Sequence, residues 1–116
     1  MDLNDLMEYL ESKPHVEACF PFDEHTLVYK AGGKMYALIA LERVPAMLNL
    51  KCDPERSIEL RERYQEITPG YHMNKTHWNS IDYTTLDWSL LKELIDHSYE
   101  LILNSLTKKQ KQALGL

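Results

Sequence analysis

The side chains best suited to recognition chemistry are concentrated in residues 71–79, YHMNKTHWN. Lysine and histidine can contact phosphate, asparagine can donate and accept hydrogen bonds, and aromatic rings can stack on a planar ligand. The same residue types also have structural uses, because asparagines satisfy turn backbone and large aromatic side chains are usually buried. The segment leaves both uses open, except that we expect Trp78 to be a structural anchor.

Cys52, His72 and His77 together suggest either a metal site or a cysteine nucleophile. Zinc accepts nitrogen and sulfur ligands, but these residues lack the tight paired spacing of zinc-binding motifs. A nucleophilic cysteine needs a base that is oriented by a third group, and the sequence identifies no such group. We therefore expect no catalytic residues, no metal and no cofactor.

A glycine-rich stretch, Ala31-Gly32-Gly33-Lys34, invites comparison with a phosphate-binding loop. It lacks both the four-residue gap and the Ser or Thr after lysine that the P-loop requires. Two glycines between apolar segments instead predict a β-hairpin. Lys34 is then expected to present its ammonium group near an exposed sheet face.

The chain has 116 residues and a formal charge of −5, so we expect one domain over residues 1–116 that is not a strongly basic, histone-like protein. The N-terminal residues are acidic and lack the apolar core of a signal peptide. The longest apolar run is far shorter than the roughly 20 residues that cross a bilayer. We therefore expect a cytoplasmic protein with reduced cysteines and no membrane association.

Hydrophobic periodicity predicts three helices and at least four strands. A helix is expected over residues 2–12, and strands over residues 16–22, 26–31, 34–41 and 46–51. Asp53 should cap a second helix whose buried positions are Leu60, Tyr64 and Ile67. Residues 71–82 should be extended with a turn near Asn74, and a capping box of Thr84 and Asp87 should open a last helix that reaches Leu106. We expect the tail after Lys108 to fray.

Short hairpin connections between the strands predict an antiparallel sheet, and the helices can cover one of its faces. The predicted fold is therefore a two-layer α+β domain whose second sheet face is partly open. Residues 25–52 carry four cations against one acid, a net charge of +3 in an acidic protein. Alternation places Asn49 and Lys51 opposite Leu48 and Leu50, so the lysines either solvate the strand edges or form a basic face that attracts an anion.

Three segments and one tripeptide resemble the MmcQ/YjbR family of small bacterial proteins: GKMYAL at 33–38, LNLKCDPE at 48–55, PGYHMNKTHWN at 69–79, and His97-Ser98-Tyr99. The resemblance covers nearly the whole chain, and Tyr36 stands where members often carry Phe. It implies a frataxin-like (CyaY-like) α/β fold. It also implies the DNA-binding label that is commonly given to the family for its double-wing shape.

These observations predict a non-enzymatic binding protein of the MmcQ/YjbR type, with DNA as one candidate partner. The residues expected to contact a nucleic acid or another anion are Lys34, Lys51, His72, Asn74, Lys75 and His77. The net negative charge counts against DNA, because phosphate neutralisation dominates its affinity. The alternative is a binding module in which the same cluster holds a small anionic ligand or a protein partner.

Overall fold

The computed structural model of the chain describes residues 2–44, 46–70 and 73–116. The elements, in chain order, are α1 (Leu3–Glu11), β1 (Val16–Cys19), β2 (Thr26–Ala31), β3 (Lys34–Ala40), β4 (Met47–Lys51), α2 (Pro54–Arg63), β5 (Ile67–Pro69), β6 (Trp78–Asp82), α3 (Trp88–Ser105) and α4 (Lys108–Ala113).

All strand pairs are antiparallel, and the strand order across the sheet is β1-β2-β3-β4-β6-β5. The first four strands form a meander of neighbours. The chain then leaves the sheet through α2, forms the edge strand β5, and returns as β6 beside β4. The predicted antiparallel α+β architecture is therefore confirmed.

The helices cover one face of this sheet, as predicted, and the main core lies between the two layers. Leu6 and Leu10 of α1 and Leu91 and Ile95 of α3 are fully buried or nearly so. They pack in one cluster with inward-facing strand residues, which include Tyr29, Ile39, Leu48, Leu50, Ile67 and Ile81. The opposite sheet face carries the other half of each strand's side chains, and this face holds the candidate site.

A β-bulge in β3 decides which side chains reach that opposite face. Lys30 pairs with Met35 and Tyr29 pairs with Ala37, so Tyr36 is the extra residue. The Ser98 hydroxyl of α3 donates to the Tyr36 carbonyl (2.6 Å) and accepts from the Lys51 N–H (3.0 Å). Tyr36 therefore packs toward the helices, while Met35 remains on the exposed face.

Two predicted boundaries are wrong by three or more residues. The first strand ends at Cys19 and not at residue 22, and α2 ends at Arg63. Leu60, Tyr64 and Ile67 have helical spacing, but Tyr64 is already extended and Ile67 begins β5 opposite Ile81. Ile67 is buried because it pairs in the sheet, so its apolar side chain does not belong to the buried side of α2.

The cap of α3 and the structure of the C-terminal tail also differ from prediction. Asp87 alone caps α3 through its contact with the Leu90 N–H (3.1 Å), while the Thr84 hydroxyl donates to Asp82 within the preceding turn. The tail forms α4, which opens with a capping box of Thr107 and Gln110. A Cβ added at Gly32, where φ is +58°, would meet Leu106 at 2.8 Å and Leu114 at 3.0 Å. The tail therefore packs over the β2–β3 hairpin.

The segment expected to be extended over residues 71–82 is described from residue 73 onward. In this described part it forms a strand only over Trp78–Asp82, after a turn at residues 75–77. Among the described residues, no helix has both the length and the apolar character needed to cross a membrane.

Candidate ligand-binding pocket

The sheet face away from the helices is partly covered by an apolar cluster of its own. Val28, Leu38 and Trp78 are buried there, and Cys19, Met35 and Met73 pack against them. Trp78 is only 9% exposed. This burial is what an anchoring side chain requires, and the anchoring role itself stays a prediction.

Beside this cluster lies a pocket of about 860 Å³. Small-molecule sites typically have volumes of roughly 300–1,000 Å³ and mostly apolar walls. The lining residues come from β2, β3, β4, the loops at one end of these strands, and the turn before β6: Phe22, Asp23, Thr26, Met35, Leu38, Ala40, Glu42, Arg43, Asn49, Met73 and Asn74. The apolar lining is rich in methionine, whose flexible thioether adapts to varied ligand shapes.

Asn49 is the buried polar residue of this lining, with an exposed fraction of 7%. It lies on β4 between Leu38 of β3 and Ser80 of β6. Its Oδ1 accepts a hydrogen bond from the Ser80 hydroxyl (2.5 Å). Within the described parts of the chain, its Nδ2 has no hydrogen-bond partner, and the atom is not sealed from solvent. The amide therefore offers a donor to a molecule in the pocket.

The charged groups at the pocket mouth are largely held by their own neighbours. Asp23 Oδ1 accepts from the backbone N–H groups of His25 (2.8 Å) and Thr26 (2.7 Å), and these bonds hold the pKa of Asp23 below its ordinary value. Glu42 lies 2.8 Å from His25 Nδ1. Arg43 is the cationic side chain among the described lining residues. The mouth is thus of mixed charge.

The turn before β6 forms one wall of the pocket through Met73 and Asn74. Asn74 Oδ1 accepts from the Thr76 N–H (2.9 Å), and the Asn74 carbonyl accepts from the N–H groups of His77 and Trp78. The Lys75 ammonium donates to the Gly70 carbonyl (3.1 Å). Asn74 therefore combines a role in the turn with a position on the pocket wall.

The structure brings together only some of the residues that the sequence proposed as an anion site. Lys51 shares the exposed face with Asn49 and lies opposite Trp78, while Lys75 and His77 are exposed on the turn. His72 lies outside the described residues. Lys34 lies elsewhere, because its ammonium donates to the Ser105 carbonyl (3.0 Å) at the C-terminal end of α3, where a cation is favoured.

Sequence reasoning missed the residues that form most of the pocket. It placed Asn49 on the exposed face but did not select it, although an asparagine among the apolar residues of β4 was a usable signal. Arg61 alternates with glutamates along α2, a pattern that predicts a salt-bridged solvent face. The Arg61 guanidinium instead donates to Asn79 Oδ1 (2.7 Å) and to the carbonyls of Lys75 (2.5 Å) and Trp78 (3.2 Å).

Cys52 is 4% exposed, and burial raises the pKa of its thiol. Its backbone N–H donates to the His77 carbonyl, so these two residues are adjacent through backbone contact. Over residues 2–44, 46–70 and 73–116, no group of three His, Cys, Asp or Glu side chains is placed to hold a metal.

A sequence model of the YjbR family matches residues 11–101. The chain belongs to the YjbR family. The Escherichia coli O157:H7 protein YbdF is 39% identical over 100 residues, which cover 85% of this chain and 82% of YbdF. YjbR of Escherichia coli K12 is 29% identical over 119 residues, with 98% of each chain covered.

A solved structure agrees with the fold of this YjbR-family chain. The crystal structure of the Deinococcus radiodurans protein DR2400, a DUF419 domain, superposes with a TM-score of 0.90 at 42% identity. The match covers 98% of this chain and 88% of DR2400.

Proposed function

We propose that this YjbR-family protein is a binding module whose pocket holds a small ligand with an apolar body and a hydrogen-bond acceptor. The observation that supports this most directly is Asn49, a buried lining residue of a largely apolar pocket whose Nδ2 has no hydrogen-bond partner among the described residues. A few placed polar groups in apolar walls are what orient ligands in small-molecule sites.

The Asn49 donor is best satisfied by a negatively charged oxygen on the ligand. A hydrogen bond to an ionised acceptor is roughly twice as strong as a neutral one. Arg43 adds a positive charge to the lining, and the carboxylates of Asp23 and Glu42 are bonded to backbone N–H groups and to His25, respectively. We therefore expect a carboxylate, sulfonate or phosphate on the ligand.

Anilinonaphthalene sulfonate is a suitable probe, because it joins an aromatic apolar body to one anionic group. We expect saturable binding with increased fluorescence in the folded wild type. Ala40→Phe should weaken binding at least tenfold, since the half-buried Ala40 lines the pocket and a phenyl ring there would occupy space that the probe needs. Ala18→Phe is the matched control, because Ala18 is an exposed residue of β1 that does not line the pocket.

Urea unfolding of both variants shows whether each is folded at the titration temperature. Equal binding by Ala40→Phe and Ala18→Phe would contradict the pocket assignment. No binding by the wild type would contradict the proposed ligand chemistry.

DNA is the second candidate, and the exposed Lys75 and His77 beside Lys51 are the observation that favours it. If two to four side chains neutralise phosphates of a DNA duplex, the dissociation constant should be about 10⁻⁴ to 10⁻⁶ M. The affinity should also fall steeply as the salt concentration rises. Fluorescence anisotropy with a short labelled duplex at two salt concentrations measures this. Combined Lys51→Glu and Lys75→Glu changes should remove most of the binding, and no binding by the wild type at low salt would exclude the DNA proposal.

A further inference from the structure

Arg61 joins α2 to the turn that forms one wall of the pocket. Its side chain makes three hydrogen bonds there, one to the Asn79 side chain and two to the backbone carbonyls of Lys75 and Trp78. Asn79 is held in turn, because its Nδ2 donates to the Ser57 hydroxyl of α2 (3.2 Å). Arg61 and Ser57, both on α2, therefore hold the turn and the start of β6 in place.

The chemistry of these bonds requires a guanidinium group. Its donors have a fixed fork geometry, so that one planar group can bind the amide oxygen of Asn79 and two carbonyl oxygens together. The Trp78 carbonyl also accepts from the Gly70 N–H (2.8 Å), which closes the turn at its base. Arg61 thus holds the point where the turn rejoins the sheet.

Arg61 does not line the pocket, but the residues that it immobilises are joined to those that do. Met73 and Asn74 belong to the lining, and the Asn74 carbonyl accepts from the N–H groups of His77 and Trp78. We propose that Arg61 is a positioning residue that sets the ligand affinity of the pocket through this turn. The inference rests on the proposed function, since it concerns the same pocket.

Three variants on α2 test the inference. Arg61→Met keeps most of the side-chain length and removes the donors, and Arg61→Lys restores a single cationic donor group without the fork. Arg63→Met is the matched control, because the exposed Arg63 lies over the Tyr64 ring on the same helix. All three are titrated with anilinonaphthalene sulfonate, and their amide hydrogen exchange is measured without ligand.

In Arg61→Met we expect the amides of His77 and Trp78 to exchange about tenfold faster, relative to the amides of the central strand β3. We also expect about tenfold weaker probe binding, with partial recovery in Arg61→Lys and no change in Arg63→Met. A general loss of stability would accelerate exchange in β3 as well, so the ratio separates a local role from a global one.

If Arg61→Met leaves either the exchange rates in the turn or the probe affinity unchanged, the inference is overturned. Probe binding by the wild type would in that case still support the proposed binding function of the pocket. Absence of binding by the wild type would instead overturn the proposed function, and with it any role of Arg61 in affinity. The exchange rates would still decide whether Arg61 holds the turn.

Discussion

The Ser80 hydroxyl donates a hydrogen bond to Asn49 Oδ1 across the neighbouring strands β6 and β4. This contact uses the acceptor half of the buried amide, so the donor half is left for a molecule in the pocket. Because Ser80 is 1% exposed and Asn49 is 7% exposed, the orientation of the amide is fixed by packing as well as by hydrogen bonding. This pair of side chains thus places a buried polar group in the pocket lining.

Asn49→Asp tests this polarity without altering the shape of the site. The carboxylate can still accept from Ser80, but it replaces the Nδ2 donor with an acceptor and a negative charge. We expect the affinity for anilinonaphthalene sulfonate to fall at least tenfold, because juxtaposed like charges are strongly unfavourable. Fluorescence titration measures the change.

Asn4→Asp is the control for Asn49→Asp, because it adds the same charge at an exposed position of α1 in the helix layer. Its affinity should match that of the wild type. Equal affinities for the two variants would show that Asn49 does not contact the probe.

Trp78→Ala tests the apolar cluster beside the pocket. Because Trp78 is buried against Val28 and Leu38, we expect the free energy of unfolding to fall by about 3–5 kcal/mol, as measured by urea unfolding. Trp88→Ala should cost less, since Trp88 is only half-buried. A loss below about 1 kcal/mol for Trp78→Ala would contradict an anchoring role.

His97 should make the stability of the fold pH-dependent. Its Nε2 accepts from the Asp53 N–H (3.2 Å), and desolvation, followed by the Arg56 guanidinium, lowers its pKa below the ordinary value of 6.5. The unfolded chain therefore binds a proton more readily, so the stabilisation is complete above pH 6.5 and is lost as pH falls through the depressed folded-state pKa. His97→Asn should flatten this part of the pH profile, measured as Tm between pH 7.5 and pH 5.

His77→Asn is the comparison for His97→Asn, because His77 is exposed on the turn before β6. It should leave the acid-side slope of the wild type unchanged. An identical slope in His97→Asn would show that His97 does not carry this pH dependence.

Local patterns in the sequence predicted much of the sheet. The two glycines at 32 and 33 separate β2 from β3 as expected, and β2 has the predicted bounds. Alternation also assigned Asn49 and Leu48 to opposite faces correctly. Prediction was wrong where tertiary pairing gave an apolar residue a different use, as at Ile67, and where a side chain satisfied a turn and not a helix, as at Thr84.

The candidate site was less predictable, because its residues are brought together only by the sheet. Phe22, Met35, Asn49 and Met73 are distant in sequence, and none belongs to a motif with its own chemistry. Arg61 lies among glutamates on α2, so its sequence context favoured a solvated helix face. Only the position of the turn shows that its guanidinium has backbone carbonyls to bind.

Our main proposal is that the pocket on the exposed sheet face binds a small anionic, largely apolar ligand. Labelling the methionine methyl groups and titrating with anilinonaphthalene sulfonate in an NMR experiment tests it most directly. Met35 and Met73 line the pocket, whereas Met7 packs against the core from α1 on the other side of the sheet. We predict saturable shifts of the Met35 and Met73 methyl signals, no shift at Met7, and loss of both shifts in Ala40→Phe. Saturable binding that leaves Met35 and Met73 unshifted would contradict the claim.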